Sequence, residues 1–136
     1  MPLISNDKEV QMHLSSMYDK LEFNVKKLKK ELNTHRSNYE EACDKHINSG
    51  FRFENLWLKA DHTYQLKFKE FETHCFLLEI LSDYRDEQGN FIHLHEVFVT
   101  LESLIQQFIK QEDYEVCAII KKWQDFISFR YYLSKQ

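Results

Sequence analysis

From Val10 to His46 the apolar and semi-apolar positions step by three and four residues: Val10, Leu14, Met17, Leu21, Val25, Leu28, Leu32, His35, Tyr39, Ala42 and His46. Residues three and four apart lie one above the other on a helix, so these form one narrow stripe with polar and charged residues around it. No proline or glycine interrupts the stretch. The pattern predicts a long amphipathic helix, capped by Ser5, Asn6 or Asp7 and stopped at Asn48-Ser49-Gly50, where Gly50 suits a left-handed C-cap. Such a helix is on the order of 60 Å long, more than a compact domain of this size spans. It must project or break, and Asn33-Thr34 and Ser37-Asn38 are the weakest places.

From Phe53 to Tyr84 two periodicities compete. Phe53, Trp57, Ala60, Tyr64, Phe68, Phe71, Cys75, Leu78 and Leu81 make a helical stripe. Leu56, Leu58, Ala60 and then Tyr64, Leu66, Phe68 alternate with a period of two, which would suit a β-hairpin near 51–71. No Asn-Gly or Asp-Gly turn sits between them, and the helical stripe covers the whole segment, so a helix is favoured. Asp83 to Asn90 is a polar loop, and Asn90 is placed to cap a third helix with the stripe Leu94, Val97, Phe98, Leu101, Leu104, Ile105, Phe108. After Glu112-Asp113 a fourth helix carries Val116, Cys117, Ile120, Trp123, Ile127 and Tyr131. Connections this short make antiparallel hairpins. The expected fold is all-α, one helical domain over 1–136, with a long N-terminal helical hairpin packed with a shorter C-terminal one. An α+β fold with the 51–71 hairpin is the alternative.

Composition agrees. With 2 glycines and 1 proline in 136 residues the chain is poor in turn formers, which disfavours an all-β fold. The net charge of -4 runs against a nucleic-acid-binding domain. No basic region followed by an apolar run opens the chain, and no stretch approaches the roughly 18 apolar residues of a membrane span. The three scattered cysteines, Cys43, Cys75 and Cys117, point to a reduced, cytoplasmic chain with Cys75 and Cys117 as buried thiols.

The segment 94–130 resembles the UVR helical hairpin of bacterial excision-repair nuclease subunits. Within it, Glu112, Asp113, Tyr114, Glu115, Cys117, Ala118 and Ile120 match an acidic turn, then Tyr-Glu, then small residues. In that family the hairpin is an interaction module that packs on another hairpin. Lys121-Lys122 replaces the usual Arg-Asp pair, and Gln124 stands where the family has an aliphatic residue.

Candidate chemistry is sparse. Cys43 and His46 sit one turn apart, and His74-Cys75 and His93-x-His95 offer further donors, but a structural zinc site needs four converging ligands. No Glu-x-x-His, His-Glu-x-x-His, phosphate-binding glycine loop or nucleophile elbow occurs. No catalytic residue, metal ligand or cofactor is therefore assigned. Lys26, Lys27, Lys29 and Lys30 form the one basic cluster. The apolar residues of the last helix, by contrast, point around most of its circumference, the mark of a helix buried on all sides or meeting a partner.

These features predict a non-enzymatic protein–protein interaction module, an adaptor, inhibitor or regulator. Its expected partner-binding residues are Trp123, Phe126, Phe129 and Tyr132, with Trp123 facing the hairpin core. Coiled-coil self-association into a homodimer is expected through Leu14, Met17, Leu21, Val25, Leu28 and Leu32. The alternatives are a nucleic-acid-associated helical protein using the Lys26–Lys30 cluster and a metal-binding helical bundle.

Overall fold

The computed structural model describes the backbone of residues 2–135 and the side chains of 8–9, 11–93 and 95–126. It contains four helices, α1 (Pro2–Asn48), α2 (Glu54–Asp83), α3 (Leu94–Lys110) and α4 (Tyr114–Lys135), and no strand among the described residues. No helix is long and apolar enough to cross a membrane among the described residues. α1 packs chiefly along α2 and α3 along α4, and α4 joins the two pairs by touching both α1 and α2. The fold is thus the all-α bundle of two helical hairpins that the stripes predict.

α1 is continuous over 47 residues, about 70 Å. Neither Asn33-Thr34 nor Ser37-Asn38 breaks it. All four are exposed, so the penalty is only their weak helix propensity, a few tenths of a kcal/mol each. The Thr34 hydroxyl bonds the Lys30 carbonyl at 3.3 Å and Arg36 pairs with Glu40 one turn on. The helix runs from Pro2, a residue suited to a first helical position, so Ser5, Asn6 and Asp7 fall within it and do not mark its start. At the other end Gly50 takes φ +75°, the Gly50 amide bonds the Ile47 carbonyl and the Phe51 amide bonds the His46 carbonyl at 2.8 Å. This is a Schellman stop.

α2 excludes the β-hairpin alternative. Of the six residues that gave the period of two, Leu56, Leu58, Leu66 and Phe68 lie exposed on the helix surface and Ala60 and Tyr64 are half-buried, so their alternation does not mark a sheet face. α3 begins after His93, in a left-handed conformation, and Asn90 belongs to the preceding loop. That loop is built on Asp86, whose carboxylate accepts the amides of Gln88 and Asn90. Gln11 of α1 clamps it from outside, its side-chain amide giving and taking a hydrogen bond with the Phe91 backbone at 2.6 Å each.

The core gathers where both hairpins meet: Leu14, Met17 and Leu21 of α1, Leu77 and Leu81 of α2, Phe91 of the loop, Val97, Leu101 and Ile105 of α3, and Val116, Ile120 and Trp123 of α4. Beyond it the α1–α2 hairpin continues as an arm. Between Leu32 and Asp61 the one buried side chain is Ala42. The arm is held by aromatic contacts, Tyr39 stacked on Tyr64 at 5.7 Å and His46 stacked on Trp57 at 5.6 Å. Val10, Leu94, Ile127 and Tyr131 of the predicted stripes lie outside the described side chains.

α3 ends with the same Schellman hydrogen bonds as α1, but Glu112 holds the left-handed position at φ +59°. A non-glycine residue there is strained by about 1 kcal/mol. Glu112→Gly should therefore raise stability by about 0.5–1 kcal/mol, seen as a higher melting temperature. An unchanged or lower value would contradict this assignment of strain.

Candidate partner-binding groove

A second stripe on α1 turns away from the core stripe by about 120°: Ser16, Lys20, Phe23 and Lys27 follow at helical spacing. α4 passes alongside it. Between the two helices lies a groove of about 470 Å³, lined by Ser16, Asp19, Lys20, Phe23 and Asn24 of α1 and by Lys122, Trp123 and Phe126 of α4.

Trp123 forms the base of the groove and is 6% exposed. Its indole N–H donates to His74 Nε2 at 3.4 Å, while His74 Nδ1 lies 2.8 Å from the Glu70 carbonyl oxygen. A carbonyl only accepts and an indole N–H only donates, so both contacts together select the neutral ring with its proton on Nδ1. Phe126, one turn after Trp123, is 38% exposed. Its ring stacks with His13 at 4.9 Å, meets Trp123 edge-on at 6.3 Å and carries the Lys20 ammonium at 5.3 Å. Phe23 is 67% exposed, a large apolar ring left in water on the polar side of α1.

The groove runs on into a polar extension lined in part by Lys27, Glu31, Lys67 and Glu70 and sharing Asn24, Lys122 and Trp123 with it. There Lys67 sits 3.0 Å from Glu31 and 3.4 Å from Glu70. The hydrogen bond from Lys67 holds the Glu31 carboxyl below its usual range. Burial works against the charge on Lys67, but its two acids outweigh that and keep its pKa above the ordinary lysine value.

On the other side of α2 a larger groove, about 620 Å³, abuts the α3–α4 turn. Its lysine, Lys69, is already engaged by Asp113 at 3.2 Å and by Glu115 at 4.0 Å. Leu66, Phe68 and Phe76 line it, each partly exposed.

α4 is fixed to α3 by a buried amide. Gln124 is 1% exposed and donates to Glu102 at 2.9 Å, and Lys121 approaches its oxygen at 3.5 Å. Gln124 is one of the places where the chain departs from the UVR hairpin pattern, and here the polar side chain has a local partner in place of an aliphatic contact. Hydrogen bonds from Gln124 and then Gln106 hold the Glu102 carboxyl below the usual value of 4.5.

Of the residues expected to bind a partner, Trp123 and Phe126 line the groove, whereas Phe129 and Tyr132 lie outside the described side chains. The residues expected to take part in self-association have the following places within the single chain. Leu14, Met17 and Leu21 are in the chain's own core, Leu28 is buried, and Val25 and Leu32 are half-buried. Within the chain, α2 folds back along α1 and lies against this seam. Lys26, Lys27, Lys29 and Lys30 spread over about 160° of the α1 circumference and do not converge, and Lys26 pairs with Glu22 at 3.7 Å.

Cys117 is buried and its thiol reaches the Ile105 carbonyl, while Cys75 is half-buried. Burial pushes both thiols up in pKa. His46, one turn from Cys43, stacks on Trp57 and accepts the Phe53 amide, and among the described residues no three His, Cys, Asp or Glu side chains gather as a metal site. Sequence reasoning missed Phe23 and Lys20. The available signal was a bulky apolar residue off the stripe, between Glu22 and Asn24.

No family model, no curated protein and no solved structure matches this chain.

Two outcomes follow from this geometry. Trp123→Ala should lower stability by about 3–5 kcal/mol, since it empties a buried site and strands the His74 acceptor, whereas Phe126→Ala should cost about 1 kcal/mol or less. Equal losses in thermal melts would place Phe126 in the core and remove it from the groove. The second concerns acid stability. The folded state favours ionised Glu102, so this contribution is present above pH 4.5 and is lost as the pH falls through the lower folded value. In Gln124→Leu the Glu102 carboxyl, followed by NMR, should titrate closer to 4.5. An unmoved titration would assign the shift to Gln106 instead.

Proposed function

We propose that the protein is a non-enzymatic interaction module, an adaptor, inhibitor or regulator that holds a segment of another protein in the α1–α4 groove. One observation carries this reading: Phe23 and Phe126, 67% and 38% exposed, share a concave surface over the buried indole of Trp123. Large aromatic rings bury much area while losing little conformational freedom, which is why they dominate binding hot spots. A partner that covered both rings would recover the apolar surface that the fold leaves in water, about 25 cal/mol for each Å². The groove also stands on rigid elements, because both walls are helices and the base is fixed by the Trp123–His74 hydrogen bond.

The nucleic-acid reading has less support. Phosphate binding draws on convergent lysines, and the α1 cluster points in several directions on a chain of net charge -4.

The test is retention from native extract on immobilised full-length protein. We expect a protein that is held by the native chain and by a Glu87→Ala control, on the exposed loop, to be released by Phe23→Ala/Phe126→Ala while the variant's melting curve stays close to native. Equal retention by all three chains would move the binding surface elsewhere.

A further inference from the structure

The geometry points to an acidic amphipathic helix as the occupant of the α1–α4 groove, its apolar face on Phe23, Trp123 and Phe126 and its Asp or Glu side chains against Lys20, Lys27 and Lys122. The inference rests on the groove being a docking site and adds the chemistry of what docks there.

Charge complementarity is the first argument. The chain carries a net charge of -4, yet the groove and its extension reverse that sign locally. Glu31 and Glu70 both face Lys67, at 3.0 and 3.4 Å, so these acids are engaged within the protein. Lys27 acts on Glu31 only through space. Among the described residues Lys20, Lys27 and Lys122 enter no ion pair, and besides Glu31 and Glu70 the lining holds one further acid, Asp19. Lys20 meanwhile rests over the Phe126 ring at 5.3 Å, a weak contact at an exposed site. A carboxylate arriving there would replace it with an ion pair at the edge of an apolar contact, where solvent screening is reduced.

Backbone chemistry then selects the partner's conformation. Both walls of the groove are helices, whose amides and carbonyls are bonded within themselves. An extended peptide would find no strand edge to pair with and would bring unsatisfied N–H and C=O groups to an apolar surface. A helix satisfies its own. Ser16 to Lys27 spans about 17 Å of α1, room for about three turns of a helix laid alongside, with anchors at i, i+4 and i+7.

A nucleic acid is the competing occupant. It would extend its phosphates past three lysines onto a surface that is acidic overall, and it would have to draw the divergent α1 lysines together.

The experiment selects displayed random peptides of about 16 residues on the immobilised full-length chain, then measures synthetic versions by fluorescence anisotropy. The expected result is enrichment of net-acidic sequences with bulky apolar residues at helical spacing. Their affinity should fall at least about tenfold with Lys20→Glu/Lys122→Glu and also with Phe23→Ala/Phe126→Ala. A version of the binder with Lys in place of its acids should regain affinity on Lys20→Glu/Lys122→Glu. Both lysines are exposed, so the melting temperature should hold, and Lys20→Gln/Lys122→Gln serves where charge reversal disturbs the fold.

Neutral or basic binders released by Phe23→Ala/Phe126→Ala would overturn the acidic chemistry and leave the groove standing as a docking site. Binders indifferent to Phe23→Ala/Phe126→Ala, or no enrichment at all, would overturn the groove as well. Tighter binding of a single-stranded oligonucleotide of about 20 nucleotides, lost on Lys20→Glu/Lys122→Glu, would make this a nucleic-acid site and refute the proposal.

Discussion

Met17, Leu21, Leu77, Leu101 and Ile120 are withdrawn from water together, at the one level where all four helices come near one another. α1 and α2 alone cannot exclude water from both sides of their seam, as the arm shows, where Ala42 is the single buried residue between Leu32 and Asp61. The C-terminal hairpin supplies the missing cover over one end of the long hairpin. Its placement sets α4 against both α1 and α2, with the groove between α4 and α1 and the larger cleft between α2 and the α3–α4 turn.

Apolar contact brings the two hairpins together without fixing how they are aligned. Alignment comes from polar side chains with specific partners. Gln11 takes the place of a neighbouring strand for the Phe91 backbone and so ties the loop to α1. Gln124 links α4 to Glu102 of α3. The Trp123–His74 hydrogen bond sets the depth of the indole between α4 and α2. Each joins elements far apart in the chain, and each would leave a buried donor or acceptor unsatisfied if the register slipped.

The helices were legible because each stripe persists for three turns or more, long enough for the three-and-four spacing to prevail over local exceptions. Leu56 to Phe68 imitated a strand only because apolar residues stand on the exposed side of α2. Asn33 to Asn38 looked like a break because propensity is local, while continuity is decided by the helix lying alongside. The groove was half legible. Trp123 and Phe126 could be chosen from the density of aromatic residues in α4, but Phe23 belongs to no stripe, and which face of α1 meets α4 depends on tertiary packing. The same holds for the seam, since a sequence of apolar positions does not say whether its cover comes from the same chain or from a second one.

α1 also has a mechanical consequence. One unbroken helix joins the level of Leu21, beside the groove, to Asn48 at the far tip, a distance of about 40 Å. A tilt of about 5° at the base carries the tip through roughly 3.5 Å, the length of a hydrogen bond or more. The arm therefore acts as a pointer that magnifies small rotations of the body. Phe51 and Ile47, exposed at its end, would sweep with it, so the position of a contact made at the tip is set some eight turns away.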